Sequence, residues 1–383
     1  MKKRRLDRQQ DFIMWFLRPI VTLWMKLDTK RKVVLYDDGF SLKRKEPYIM
    51  LANHTFLFDV IHVPLRLKKV PFIVASHTLF KKKATKFLVT QVAHVISKSK
   101  GQSDAFTVRE IIGAIKRGYP VLIFPEGDTT FYGETNYIEE ATMKLVKKLG
   151  VDVVTCNVRG GYLSKPRWAL SKRENRYAEF HYKLTIKKED IDAMSLEEVT
   201  NKVKDALYHN AYDFQRENMI KHHAKELTKG LEDVIYVCSE CNEIHTIETY
   251  DNKIKCNKCN HEGYMDDYGF IQNFKFDNLI DWNNYQRKFK KELMKTKLST
   301  TGILYYQNQV SNELDLVGNV TLTYENHQLN FLGALNQTIP LCDITNPTIT
   351  VRRDLGFYYE NKDFLVKLDH YGVAFLRILQ DKY

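Results

Sequence analysis

The sequence predicts an α/β layered domain with a largely parallel sheet, followed by a cysteine-paired module and a small all-β domain. Three observations predict it. Between residues 32 and 228, short apolar runs alternate with stretches of helical periodicity, the rhythm of βα units. Four of the six cysteines fall in two tight pairs within residues 232–270. Beyond Gly302 the helical texture gives way to short alternating segments separated by turn residues. With 383 residues and 44% hydrophobic content, the chain can build more than one core.

The chain opens on a basic segment, MKKRRLDRQQ, and continues into the apolar and aromatic DFIMWFLRPIVTLWMKL. Arg18-Pro19 interrupts the apolar run and no small-residue cleavage site follows, which argues against a secretory signal. Residues 1–31 therefore predict two short amphipathic helices meeting at Pro19, with Trp15 and Trp24 placed for a membrane interface; a core helix with a solvated basic tail is the alternative. No run of about eighteen apolar residues predicts a spanning helix. The net charge of +12 points to a polyanionic partner, either nucleic acid or an anionic membrane surface. Lys68, Lys69 and Lys81-Lys82-Lys83 either add to that attraction or form a solvated face.

In the α/β domain, KVVLY, PYIMLAN, PFIVAS, QVAHVIS, PVLIFP and VDVVTCNV read as strands. Residues 103–117 and 137–149 read as helices, stopped by Gly118 and Gly150. Ser195-Leu-Glu-Glu198 is a capping box opening a helix that runs to about Met219. Residues 277–298 read as an amphipathic connecting helix. In residues 300–383, GILYYQ, NVTLTYE, QLNFLG, QTIPL, PTITVRR, GFYYEN and DFLVKLD read as strands, and GVAFLRILQDKY as a closing helix.

Two motifs carry chemistry. In IMLANHTFLFDV, an apolar strand ends at Asn53-His54, and Asp59 follows after four residues. Five residues turn an ideal helix by about 500°, so His54 and Asp59 do not share a helical face. They meet if His54 lies in the turn after the strand and Asp59 in the first turn of a helix. Asp59 then accepts a hydrogen bond from one ring nitrogen and leaves the other free as a base. Standing alone, H-x4-D also fits a capped helix start with a satisfied histidine. About seventy residues later, VLIFPEGDTTFYGE runs a buried strand into Pro125-Glu126-Gly127, where the glycine permits a tight turn with close backbone approach to a ligand.

Together NHTFLFD and FPEG resemble the glycerophosphate acyltransferase superfamily, specifically the 1-acylglycerol-3-phosphate acyltransferases, whose signatures are N-H-x4-D and F-P-E-G-T-R-S. The resemblance covers residues 10–225 and implies an α/β acyltransferase domain at 32–228. It implies that His54 deprotonates the acceptor hydroxyl of a lysophospholipid, most directly 1-acylglycerol-3-phosphate, and that Asp59 orients His54. The alkoxide then attacks an acyl thioester on coenzyme A or acyl carrier protein (acyl-CoA or acyl-ACP), with no acyl-enzyme. Glu126 and Gly127 shape the acceptor site. Where the family carries an arginine for the acceptor phosphate, VAHVISKSKG offers Lys98 first and Lys100 second. After Glu126-Gly127 the family has Thr or Asn and then Arg; this chain has Asp128-Thr129. The family's fourth motif is matched loosely by VVTCNVRGGYLSKPRW, in which Arg159 and Gly160-Gly161 supply compensating charge and close backbone approach. GGYLSKPRW itself resembles a segment of a bacterial subgroup.

Cys238-x2-Cys241 and Cys256-x2-Cys259, fourteen residues apart, predict a closed structural zinc ribbon at 232–270, since four thiolates at tetrahedral spacing select Zn2+ over iron here. The ribbon is not basic: Glu240, Glu243, Glu248, Asp251 and Glu262 offset its lysines, so no nucleic acid is expected as partner. The β segments resemble a pleckstrin-homology or GRAM-like (PH/GRAM-like) domain in pattern, with a lipid headgroup, a protein or a purely structural role all open. The sequence as a whole predicts a lysophospholipid acyltransferase at the cytoplasmic face of the cell membrane, peripheral or monotopic, with acyl carrier protein as one candidate partner. The alternative is a membrane-bound lipid-binding adaptor that keeps the scaffold with little or no catalysis.

Overall fold

The computed structural model describes residues 2–76, 91–98, 104–308 and 314–380. Lys81, Lys82, Lys83 and Lys100 lie outside the described residues. The chain divides into two compact units, Met1–Pro166 with Glu174–His222, and Arg167–Arg173 with His223–Tyr383.

The first unit is built on β1 (Lys30–Leu35), β2 (Ile49–Ala52), β3 (Phe72–Ser76), β4 (Val95–Lys98), β5 (Val121–Ile123), β6 (Val153–Arg159) and β7 (Tyr177–Ile186). They form one sheet in the order β1-β7-β6-β2-β5-β3-β4. Strands β2 to β6 pair in parallel; β7 pairs antiparallel with β6 and parallel with β1. The sheet is mixed and largely parallel, as the sequence predicts, with β7 the strand missing from the expected set. Its buried Ala178, Phe180 and Tyr182 alternate with Glu179, His181 and Lys183, so a half-polar strand is hidden in a charged segment.

Period-two alternation sends side chains to two cores. Ile49, Leu51, Val121, Ile123 and Val153 face one, with Ile111 of α3 (Asp104–Lys116), Met143 and Val146 of α4 (Glu140–Leu149) and Val199 and Val203 of α5 (Leu196–Leu207). Met50, Ala52, Leu122, Val154, Cys156, Val158 and Phe180 face the other, with Phe56 and Val63 flanking α2 (Asp59–His62). Gly150 adopts φ +57° and Gly118 φ +88° beyond the helix ends, as the stops require. The capping box at Ser195 is present in both directions. The single helix expected to run on to Met219 is instead two. The first ends at Leu207, and Asn210 caps α6 (Ala211–Asn218) by accepting from the Tyr212 and Asp213 amides.

The N-terminal segment corrects the expectation of two helices: Lys2–Asp28 is one helix, α1, with Pro19 inside it. An interior proline removes one backbone hydrogen bond and costs about 3 kcal/mol. The helix is pinned on both sides of that defect. Asp7 pairs with Arg117 at 2.6 Å, Asp11 with His94 at 2.9 Å, and Asp28 with Arg176 at 2.6 Å. Next to the proline, Arg18 donates to the carbonyls of Leu65 and Leu67. Phe12, Trp15, Phe16, Ile20, Leu23, Trp24 and Leu27 remain exposed along one face. No described helix is long and apolar enough to cross a membrane.

The second unit holds two sheets. β8 (Ile247–Tyr250), β9 (Lys253–Cys256), β10 (Glu262–Met265) and β11 (Ile271–Gln272) form an antiparallel sheet in the order β11-β10-β9-β8. The connecting helix expected at 277–298 is broken: Leu279–Gln286 and Lys290–Leu293 are helical, with a 3-10 turn at Arg287–Phe289 between them. β12 (Leu298–Gln307), β13 (Leu314–Glu325), β14 (Gln328–Gly333), β15 (Gln337–Pro340), β16 (Thr345–Thr350), β17 (Asp354–Tyr359) and β18 (Lys362–Leu368) follow. Their order is β15-β14-β13-β12-β18-β17-β16, antiparallel throughout, with a closing helix at Gly372–Gln380. Each segment read as a strand in this region is one. The aromatic core includes Phe357 stacked on Phe364 at 5.0 Å.

Candidate active site and metal centre

The apolar strand β2 ends at Ala52, and Asn53 continues its line by side chain: Oδ1 accepts the Val158 amide at 2.6 Å and Nδ2 donates to the Val158 carbonyl at 3.0 Å. Asn53 thereby ties the end of β2 to β6 and fixes where the next residue begins. The motif pattern alone does not disclose this role of Asn53; the signal for it is an amide side chain directly after a buried strand.

His54 follows in the turn, and Asp59 opens α2. The His54 Nδ1 lies 3.0 Å from Asp59 Oδ2 and 2.9 Å from Oδ1, and Oδ2 takes the hydrogen bond. Asp59 is fully buried, and Oδ2 also accepts the amides of Thr55 at 2.8 Å and Phe56 at 3.3 Å. With Nδ1 donating to a carboxylate, Nε2 keeps its lone pair; it meets no hydrogen-bond partner among the described residues.

The second motif arrives from β5. Gly127 adopts φ +73°, a conformation open to glycine at little cost, and turns the chain so that Glu126 points back at the first motif. Glu126 Oε1 accepts the His54 amide at 2.7 Å and Oε2 accepts the Asn136 amide at 2.6 Å. The His54 carbonyl in turn accepts the Thr130 amide at 3.0 Å. Phe124 packs on the imidazole, ring centroids 4.5 Å apart.

Electrostatics separate the two groups. Burial alone would push the His54 imidazole down, but Asp59, Glu126 and Asp128 outweigh it and hold the pKa above the ordinary histidine value. Glu126 is pushed up to about 8 by burial, against the two amides and His54, which favour its charge. The arrangement therefore offers a base on His54 beside a carboxyl whose two oxygens accept backbone amides.

Of the basic residues expected to hold a phosphate, Lys98 stands at this turn. It pairs with Glu139 Oε2 at 2.8 Å, and a Cβ at Gly127 would lie 3.7 Å from Glu139 Oε1. Arg159 lies at the end of β6 on the face covered by α5, and the groups that feel its charge are His181 and His209. Gly161 makes the expected close approach: a Cβ there would sit 2.5 Å from Thr55 Oγ1 and Phe56 Cδ1. Leu57 is exposed, and Phe58 meets Trp24 of α1 edge-on at 5.7 Å, which joins the motif to the apolar face of the helix.

In the second unit the four cysteine sulfurs lie within 4.8 Å of one another. Cys238 to Cys259 is 4.0 Å and Cys241 to Cys256 3.7 Å. Thiolates at tetrahedral zinc distance stand about 3.8 Å apart, so the donor set fits a zinc ion. Each knuckle closes on an asparagine in the left-handed region, Asn242 at φ +66° and Asn260 at φ +59°, which turns both pairs inward. All four positions of such an ion are taken by protein, which gives it a structural role.

Residues 35–159 match a family model described as acyltransferase. That stretch contains both motifs. No curated protein matches the chain. Among solved structures, the chain is similar to the 1-acyl-sn-glycerophosphate (LPA) acyltransferase PlsC from Thermotoga maritima, at 17% identity and a TM-score of 0.43, covering 57% of this chain and 83% of that one.

Proposed function

We propose that this protein transfers a fatty acyl group from an acyl thioester, on coenzyme A or acyl carrier protein, to the free hydroxyl of a lysophospholipid. The preferred acceptor is 1-acylglycerol-3-phosphate, giving phosphatidic acid. The observation that carries this reading is the His54–Asp59 contact held against Glu126 by the His54 amide; the match of residues 35–159 to the acyltransferase family model supports it.

His54 Nε2 takes the proton of the acceptor hydroxyl as its oxygen attacks the thioester carbonyl. Asp59 holds the imidazole in the tautomer that leaves Nε2 free and stabilises the imidazolium that forms. The tetrahedral intermediate collapses with loss of the thiolate, which receives the proton from His54. Nothing in the cycle requires a covalent acyl-enzyme. Lys98 meets the acceptor phosphate by exchanging Glu139 for it. It brings charge without the fork of an arginine.

Acceptor and product are bilayer lipids, and the exposed face of α1 with Leu57 suits a peripheral position on an anionic membrane surface, at the cytoplasmic side. The four cysteines hold a structural zinc ion in the second unit.

The test is acyl transfer in mixed micelles from labelled acyl-CoA and labelled acyl-ACP to lysophosphatidic acid, with mass spectrometry of the protein quenched during turnover. Phosphatidic acid with no acylated protein is the expected outcome. A stoichiometric acyl-protein would remove the direct-attack mechanism, and no transfer from either donor would remove the proposed reaction.

A further inference from the structure

A polar cavity of about 190 Å³ opens at the end of β6, on the sheet face opposite Cys156 and Val158. Tyr36, Asn157, Arg159, His181, Lys183 and Asp205 contribute to its lining. We propose that this cavity is a phosphate-binding site, separate from the groups around His54, and that its ligand is a phosphate monoester or free phosphate. The proposal stands independently of the acyl-transfer reading.

Alternation along the strands sets the cavity's character. Val154, Cys156, Val158, Phe180 and Tyr182 enter the core, so Asn157, Arg159, His181 and Lys183 share the other face. Two of these are cations. Neither the Arg159 nor the Lys183 side chain has a hydrogen bond or ion pair among the described residues. The buried carboxylate nearby, Glu179, is already engaged by Lys32 at 3.1 Å, Tyr177 at 2.6 Å and His181 at 2.7 Å. Asp205 is the sole acid in the lining and is exposed, so the lining retains excess positive charge.

Among the neutral groups the donors are already spent, and one acceptor is left over. Burial, with Arg159 and Lys32 adding to it, lowers the His181 pKa against the pull of Glu179. A neutral ring donates from Nε2 to Glu179 and accepts the Tyr36 hydroxyl at Nδ1, 3.2 Å away. Asn157 is 5% exposed; its Nδ2 is spent on the carbonyls of Ala206 and Tyr208, and its Oδ1 has no donor. A buried acceptor left without a donor costs about 1–3 kcal/mol.

A ligand that brings anionic oxygens for Arg159 and Lys183 and one hydroxyl for Asn157 satisfies all three. A monoprotonated phosphate or a hydroxyl-bearing phosphate ester has that composition. Arginine supplies the fork that matches phosphate, and lysine the point charge. At about 190 Å³ the cavity is of a size for a phosphate with a short substituent. The charges acting on His54 come from Asp59, Glu126 and Asp128, which belong to the other site.

The experiment is calorimetric titration of the full zinc-loaded chain with inorganic phosphate, in a Lys98→Gln background so that the proposed acceptor site does not contribute. Saturable binding is expected, weakened at least about tenfold by Arg159→Gln with Lys183→Gln. The thermal midpoint checks that these surface-facing replacements remain folded. Phosphate is also expected to raise the His181 pKa read by NMR. Competition by glycerol 3-phosphate would assign the site to a lipid-type headgroup, and phosphate binding without such competition to free phosphate. Absence of saturable binding, or equal binding by the Arg159→Gln/Lys183→Gln protein, would overturn the proposal.

Discussion

Glu126 holds His54 by its backbone: Oε1 accepts the His54 amide at 2.7 Å, while Oε2 accepts the Asn136 amide at 2.6 Å. The acid of the second motif thus sets the position of the first motif's histidine and does not compete for its ring. A Glu126→Gln change presents an NH2 group to one of those two amides. One amide is then left without an acceptor, at a cost of about 1–3 kcal/mol. Stability measured by urea unfolding is expected to fall by that amount, and transfer to fall with His54 still present.

The same residue predicts a pH dependence of stability. Its folded pKa of about 8 lies above the ordinary 4.5. Between those values the folded state holds a proton that the unfolded state has released, so stability declines as pH rises through this window. Glu126→Gln removes the titrating group. Unfolding free energies across the window are expected to slope less steeply in the variant; an unchanged slope would contradict the assignment.

Asp59 makes a separable prediction for the rate. The base works unprotonated, and its pKa is held above the ordinary 6.5, so the rising limb of the wild-type profile lies above that value. In Asp59→Asn the carboxylate is gone while burial remains, and the limb is expected to move to lower pH, with a lower plateau because the ring is no longer oriented. A limb that stays in place would show that another group titrates.

Gly161→Ala tests the packing of the loop. The added methyl meets Thr55 and Phe56 at 2.5 Å, an overpacking expected to cost about 1–3 kcal/mol. Displacement of Thr55 also disturbs the amide that Asp59 accepts, so the rate is expected to fall together with the melting temperature.

On α1, paired changes Phe16→Ser and Ile20→Ser remove two exposed apolar side chains. Each buried side chain of this kind contributes about 1.5–3 kcal/mol. Co-sedimentation with anionic vesicles is expected to weaken at least about tenfold, the folded core being untouched.

The sequence made the site legible where the chemistry is local. His54 and Asp59 could be placed because a turn followed by a helix start brings the fifth residue back, and the geometry is of that kind. The cysteine pairs were legible because two C-x2-C knuckles leave few arrangements. What escaped was set by distant partners. β7 was hidden because its polar alternation serves a sheet face whose neighbours are far off in sequence. Pro19 predicts a break on local grounds, and contacts from Arg18 to Leu65 and Leu67 override it. Arg159 reads as a charge near the fourth motif, yet strand alternation turns it to the face of His181 and Lys183.

Whether His54 is the base is decided by the transfer rate of His54→Ala beside the wild type, with zinc content and melting temperature matched. General-base catalysis by His54 predicts a loss of about 100- to 10,000-fold with the fold retained. Equal rates would contradict it. No transfer by either protein, both folded and zinc-loaded, would point instead to a lipid-binding adaptor on the same scaffold.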